Sequence, residues 1–156
     1  MKLTINREFF FRHLFVAILM AGLGGWFAYD GYIGYPSMTP QALYKQIEKV
    51  DAPSADAENR VYKNAIERQK QFMVLAFLAS LAVGLHLFFV CRLDFVWSDD
   101  GFTWKGKRYA LSDIIRIDRS KWERKQICVI HVNGGAIVLD AWHHNGVKEI
   151  PWLHKK

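Results

Sequence analysis

The sequence is short of the residues that most often carry chemistry. It holds two cysteines, Cys91 and Cys128. One closes an apolar run and the other falls inside a predicted strand, which leaves neither a disulfide framework nor metal-ligand spacing. There is no glycine-rich phosphate loop and no i, i+4 histidine pair of the zinc-protease kind. His131, His143, His144 and Asp140 raise the idea of a zinc site, but adjacent His143 and His144 point to opposite sides of an extended chain. The chain is therefore read as noncatalytic, with no cofactor and no metal. A net charge of +6 suits a basic surface facing an acidic partner. Without a recognisable reading motif, nucleic acid is not expected as that partner.

The chain also lacks an even spread of apolar residues, which make up 51% of it but concentrate in two blocks. Leu14 to Tyr29 is 16 residues without a charge, extended by Phe9, Phe10 and Phe11. Gln71 to Cys91 is 21 residues without a charge, stopped by Arg92. About 20 apolar residues cross the ~30 Å of a bilayer core, and so small a protein has too little other chain to cover two such helices. Trp26, Tyr29, Tyr32 and Tyr35 follow the first block, where amphipathic rings favour the membrane–water interface. Trp26, two places before Ala28, does not fit a signal-peptidase site, so the first block is read as a retained anchor.

Charge sets the expected orientation. Residues 1–13 carry Lys2, Arg7 and Arg12 against Glu8, residues 30–70 balance six basic against six acidic, and residues 92–156 carry twelve against eight. The positive-inside bias then places both termini in the cytoplasm. The expected order is a cytoplasmic tail over 1–13, a first transmembrane helix and aromatic interface over 14–35, a helical extracytoplasmic loop over 36–70, a second transmembrane helix over 71–91, and a cytoplasmic β-domain over 92–156. Within the loop, Thr39–Pro40 reads as an N-cap and first helical residue. Pro53 and Ser54 start a second helix that nothing breaks before Gln71.

Each span carries small residues every fourth position: Ala17, Ala21 and Gly25 in the first, Ala76, Ser80 and Gly84 in the second. Such spacing makes a packing seam, within the hairpin or to another subunit. His86 is the one strongly polar side chain in the second span, and His13 lies near the same depth in the first. Intramembrane ionisable residues mark functional sites by default, and two histidines from neighbouring helices are ligands a haem would use. That supports an alternative function: a small subunit of an energy-transducing membrane complex that helps to hold a cofactor. Against it, His86 is close enough to Arg92 to reach the interface or bond a carbonyl.

After Leu93 the period becomes that of strands. "LDFVW", "FTW", "KGKRYAL", "DIIRID", "ICVIHV" and "AIVLDAW" predict five or six short antiparallel strands. Cys128, Ile130 and Val132 face Ile137, Leu139 and Ala141 across a hairpin whose Asn133–Gly134 pair suits a type I′ turn. The run "FVWSDDGFTWKGKRYALSDIIRID" resembles the opening strands of bacterial pleckstrin-homology-like domains, through Asp99 or Asp100, Gly101, Gly106, Ser112, Asp113, Ile114 and Ile117. The resemblance covers about 65 residues. It implies a small antiparallel β-domain beside a transmembrane hairpin in a bacterial inner membrane, a role as scaffold, accessory subunit or membrane-surface binding module, and membrane lipids and a membrane-protein partner or a second copy as partners. Two departures stand out. Leu111 occupies a position where the family commonly has Trp. The terminal helix that plugs the family's barrel is reduced to "NGVKEIPWLHKK", which leaves an open end as an interaction site. A basic set, Lys105, Lys107, Arg108, Arg116, Arg119, Lys121, Arg124 and Lys125, with Trp122 as an interfacial anchor, is the candidate surface for anionic lipid or a partner.

Overall fold

The computed structural model describes residues 1–153. Its described residues divide into two compact units, residues 14–85 and residues 1–13 with 86–153. Two helices run through both: α1, Arg7–Tyr29, and α3, Ala55–Cys91.

In the first unit, α1 passes into a π-turn over Asp30–Gly34 and a 3-10 turn over Tyr35–Ser37. Helix α2, Pro40–Glu48, begins as its sequence requires: Thr39 Oγ1 accepts from Ala42 N at 3.3 Å, and Pro40 takes the first helical position. It buries Leu43 completely while Ile47 and Val50 stay exposed. Ser54 then caps α3, its Oγ accepting from Ala57 N at 3.3 Å. The 37 residues of α3 extend roughly 55 Å at 1.5 Å per residue.

The two long helices lie antiparallel, as the order of their contacts requires. Ser80 Oγ donates to Ala17 O at 2.8 Å, Phe27 packs on Phe72 with centroids 5.5 Å apart, and Gln69 Nε2 donates to Tyr35 OH at 3.2 Å. Only 11% of the apolar window of either helix is buried. Phe15, Ile18, Leu19, Leu75, Leu78 and Leu81 all face outward. Each such side chain forgoes roughly 1.5–3 kcal/mol of burial in water. Both helices are long and apolar enough to cross a membrane.

The second unit is built from short antiparallel strands. β2 (Phe95–Ser98), β3 (Gly101–Trp104) and β4 (Lys107–Ala110) form one three-stranded meander, and β5 (Ile114–Asp118), β6 (Ile127–Val132) and β7 (Gly135–Asp140) form another. A 3-10 turn over Leu111–Asp113 joins the sheets, and a one-turn helix α4, Trp122–Lys125, leads into β6. Alternation buries Cys128, Ile130 and Val132 on β6 against Ile137 and Leu139 on β7. Phe102 stacks between Phe95 and Tyr109 at 5.1 and 5.2 Å and on Trp152 at 5.6 Å. Gly101 is obligatory, because a Cβ there would lie 2.2 Å from Tyr109 O.

Three features differ from expectation. The β6–β7 hairpin forms at Asn133–Gly134, but only the glycine has positive φ there, so the turn is not type I′. The two positive φ values of that turn occur at Lys105–Gly106 instead (50° and 76°). The open end is filled: 3-10 turns over Val147–Glu149 and Pro151–Leu153 bury Val147, Ile150, Trp152 and Leu153, and Trp152 Nε1 donates to Ser98 O at 3.1 Å. Pro151 prevents a continuous helix there. Residues 1–5, expected as a tail, belong to the β-domain. Lys2 bridges Val96 antiparallel on the edge of β2, Leu3 N donates to Phe95 O at 3.0 Å, and β1 (Thr4–Ile5) pairs with β8 (His144–Asn145). Leu3 enters the core at 3% exposure.

Candidate functional site

Within the β-domain unit, four histidines from three stretches of sequence come together: His13, His86, His143 and His144. Asn6 opens α1, its Oδ1 accepting from Glu8 N at 3.0 Å. That sets Phe9 and His13 one turn apart on one face. The last turns of α3 supply His86 and Val90. The turn between β7 and β8 supplies His143 and His144, and it is tied to the start of α1 by Asn6 N donating to His143 O at 2.8 Å.

Phe9 is the centre of the group. Its ring centroid lies 4.1 Å from His13, 4.3 Å from His143 and 6.0 Å from His86. His86 in turn stands 5.8 Å from His13 and 5.6 Å from His143. Carbonyls and a carboxylate orient the imidazoles. His13 Nδ1 meets Phe9 O at 2.9 Å, so that nitrogen carries the proton; likewise His144 Nε2 donates to Val90 O at 3.1 Å, leaving its buried Nδ1 without a partner. His143 Nδ1 faces Asp140 Oδ2 at 3.5 Å. The pKa of His143 is lowered from its ordinary 6.5: burial disfavours the charged ring, Asp140 opposes that, and the imidazoles of His86, His144 and His13 reinforce it. The environment thus favours the neutral ring.

His13 and His86, singled out in the sequence for cofactor ligation, do meet. The rings of His13 and His143 both pack on Phe9. Among the described residues no three His, Cys, Asp or Glu side chains are arranged to hold a metal ion. His131 stands on the opposite face of β6 from the buried Ile130 and takes no part. The meeting of His143 and His144 with the helix ends escaped the sequence reading, which set the two rings on opposite sides of an extended chain; their centroids lie 6.3 Å apart.

The basic set is spread over several elements. Lys105, Lys107 and Arg108 surround the β3–β4 turn, where Lys105 lies over the Trp104 ring, Lys107 over Tyr109, and Arg108 pairs with Asp100 at 2.9 Å. Hydrogen bonding by the Ser98 hydroxyl, foremost, holds the Asp100 carboxyl below its usual range. Arg116 and Arg119 line a groove with Leu111, Ile114, Ile115, Ile117 and Trp152. Lys121 caps α4 and Arg124 and Lys125 form its last turn, while its Trp122 is half-buried against the core.

In the helical unit the small residues divide unevenly. Ala76 is buried, Ala17 and Ser80 share a hydrogen bond, and Ala21 is half-buried. The close approach falls at Gly24, where a Cβ would lie 2.9 Å from the Phe77 ring, whereas Gly25 and Gly84 face open space.

Comparison with protein-family models found no match, and comparison with curated proteins and with solved structures found none either.

Proposed function

We propose that this chain is a noncatalytic protein of a bacterial cytoplasmic membrane. It crosses the bilayer twice with both termini in the cytoplasm, and presents a pleckstrin-homology-like domain there as a scaffold or accessory subunit. The observation that carries this reading is the pairing of two long helices, whose apolar side chains face outward, with a small, well-packed β-domain. Leaving so much apolar surface uncovered is unfavourable in water and favourable in lipid. The two three-stranded meanders, joined at Leu111–Asp113, support the pleckstrin-homology-like assignment. The 3-10 turns in place of its terminal helix are a departure from that family.

The groups that would do chemistry are turned to packing. His13 and His144 bond carbonyls and His143 faces a carboxylate, and the Cys128 thiol is buried, its pKa pushed up to about 11 chiefly by desolvation. Such a domain acts by contact, and both lipid and a protein neighbour offer acidic groups to its lysines and arginines.

The test is purification of the tagged, full-length chain from its native membrane in mild detergent. Stoichiometric partner proteins establish the accessory-subunit role and define its task. A chain that elutes alone, colourless and self-associated overturns that role. A bound chromophore lost in His86→Ala would instead favour the cofactor-holding alternative.

A further inference from the structure

We propose that Trp142 is a second membrane anchor, an indole that the β7–β8 turn lays into the headgroup layer of the bilayer crossed by α1 and α3. This rests on the membrane-spanning reading above and adds a lipid contact made by the β-domain itself.

Trp142 is 62% exposed, while the other tryptophans of its unit, Trp97, Trp104, Trp122 and Trp152, are half-buried or buried. Its exposure is not the result of a loose loop. Asp140 Oδ1 accepts from Trp142 N at 2.8 Å, Asp140 O accepts from His143 N at 3.2 Å, and Ala141 N donates to Gln126 O at 3.1 Å. The next two residues are pinned as well, His143 on the Phe9 ring and His144 on Val90 O. A turn held at so many points presents its indole in one direction.

Depth follows from those same contacts. Phe9 belongs to the aromatic start of α1, and His86 and Val90 to the last uncharged turns of α3. His143, adjacent to Trp142, packs at 4.3 Å from the first and 5.6 Å from the second. Trp142 is thus held close to the charged boundary, which runs through Arg7 and Arg12 on either side of Phe9 in α1 and through Arg92 after α3, whose guanidinium lies over the Phe88 ring at 4.1 Å. Phe11 and Phe89, also strongly exposed in this unit, mark the same level. An amphipathic ring is favoured at that depth, with its apolar body in the acyl boundary and its N–H among headgroups. Arg7, Arg12 and Arg92 match the anionic lipid of such a layer. Trp122, the anchor expected from the sequence, is half-buried against the core.

The experiment uses the whole chain labelled with fluorotryptophan in nanodiscs of mixed phosphatidylcholine and phosphatidylglycerol. The Trp142 fluorine line is assigned from Trp142→Phe, or from Trp142→Tyr if the first variant does not fold. A nitroxide on the lipid near the headgroup should broaden that line strongly while an aqueous gadolinium chelate leaves it sharper, as expected for an interfacial ring. Trp26, exposed on α1, reports separately on the spans. If Trp26 senses lipid and Trp142 senses water, the anchor is refuted and the spans stand. If both sense water, the membrane reading falls and takes this inference with it. A Trp142 line broadened by neither probe means protein covers the indole, which also refutes the lipid as its occupant.

Discussion

Replacing Leu3 by Ala should destabilise the β-domain as a core mutation does, although Leu3 lies about ninety residues before the strands it joins. The side chain is 3% exposed and packs in the cluster with Phe95, Phe102 and Ile130. Its backbone is fixed by the bond to Phe95 O and by the neighbouring Trp97 N to Met1 O bond at 2.8 Å. Buried Leu→Ala changes cost about 2–5 kcal/mol, depending on how far the site collapses. An edge position collapses readily, so about 2.5 kcal/mol is expected, a roughly 60-fold change in the folding equilibrium. At about 4–8 °C per kcal/mol for a unit of this size, the melting temperature falls by about 10–20 °C. The assay is thermal unfolding of the full-length chain in mild detergent, followed by tryptophan fluorescence. Lys2→Ala is the control, because the exposed Lys2–Asp94 ion pair at 3.1 Å contributes less than about 1 kcal/mol. A Leu3→Ala loss no larger than that of the control would refute the strap and return residues 1–5 to the status of a tail.

Gly24→Ala should weaken helix pairing by about 1 kcal/mol, the lower end of overpacking costs, because its Cβ meets the Phe77 ring, while Gly25→Ala, facing open space, should be neutral; a steric-trap measurement in bicelles reads both. Acidification should loosen the His143 turn. The lowered pKa of His143 means the unfolded form takes up the proton first, so its contribution is complete above about pH 6.5 and is lost as pH falls from there toward the folded value. Hydrogen-exchange protection of residues 141–145, corrected for intrinsic rates, should drop over that window in the native chain and not in His143→Phe. At pH 8, N-ethylmaleimide should modify exposed Cys91 and spare buried Cys128, with the second thiol reacting only after denaturation; rapid native labelling of both would contradict the packing of β6.

Much of the architecture is legible because it rests on local pattern. The sequence offers no break between Ser54 and Gln71, and α3 accordingly runs unbroken into the second apolar block for 37 residues. Strict alternation located β6 and β7 and their buried faces. Where the reading slipped, the reason is geometric. A four-residue repeat advances 400° on a 3.6-residue helix, so the Ala17–Ala21–Gly25 stripe drifts about 40° per step off the contact face. The face itself follows Ala17, Ala21 and Gly24. Residues 1–5 are too few for a periodicity, and their partners, Val96 and Asn145, lie far along the chain. The histidine cluster is a tertiary fact of the same kind. Sequence spacing placed His13 and His86 at one depth but had no means of bringing His143 to them. Filling of the domain's end by Ile150, Trp152 and Leu153 was hidden by Pro151, which rules out a helix without ruling out burial.

The central claim, two spans with both termini inside, is tested most directly by cysteine accessibility in cells. In a Cys91→Ser background, Val50→Cys in the loop after α2 and Ser120→Cys after β5 are both exposed positions. A membrane-impermeant maleimide should label Val50→Cys once the outer membrane is opened, and Ser120→Cys only after the inner membrane is broken. Labelling in the reverse order, or of both sites together before the inner membrane is breached, would contradict the account.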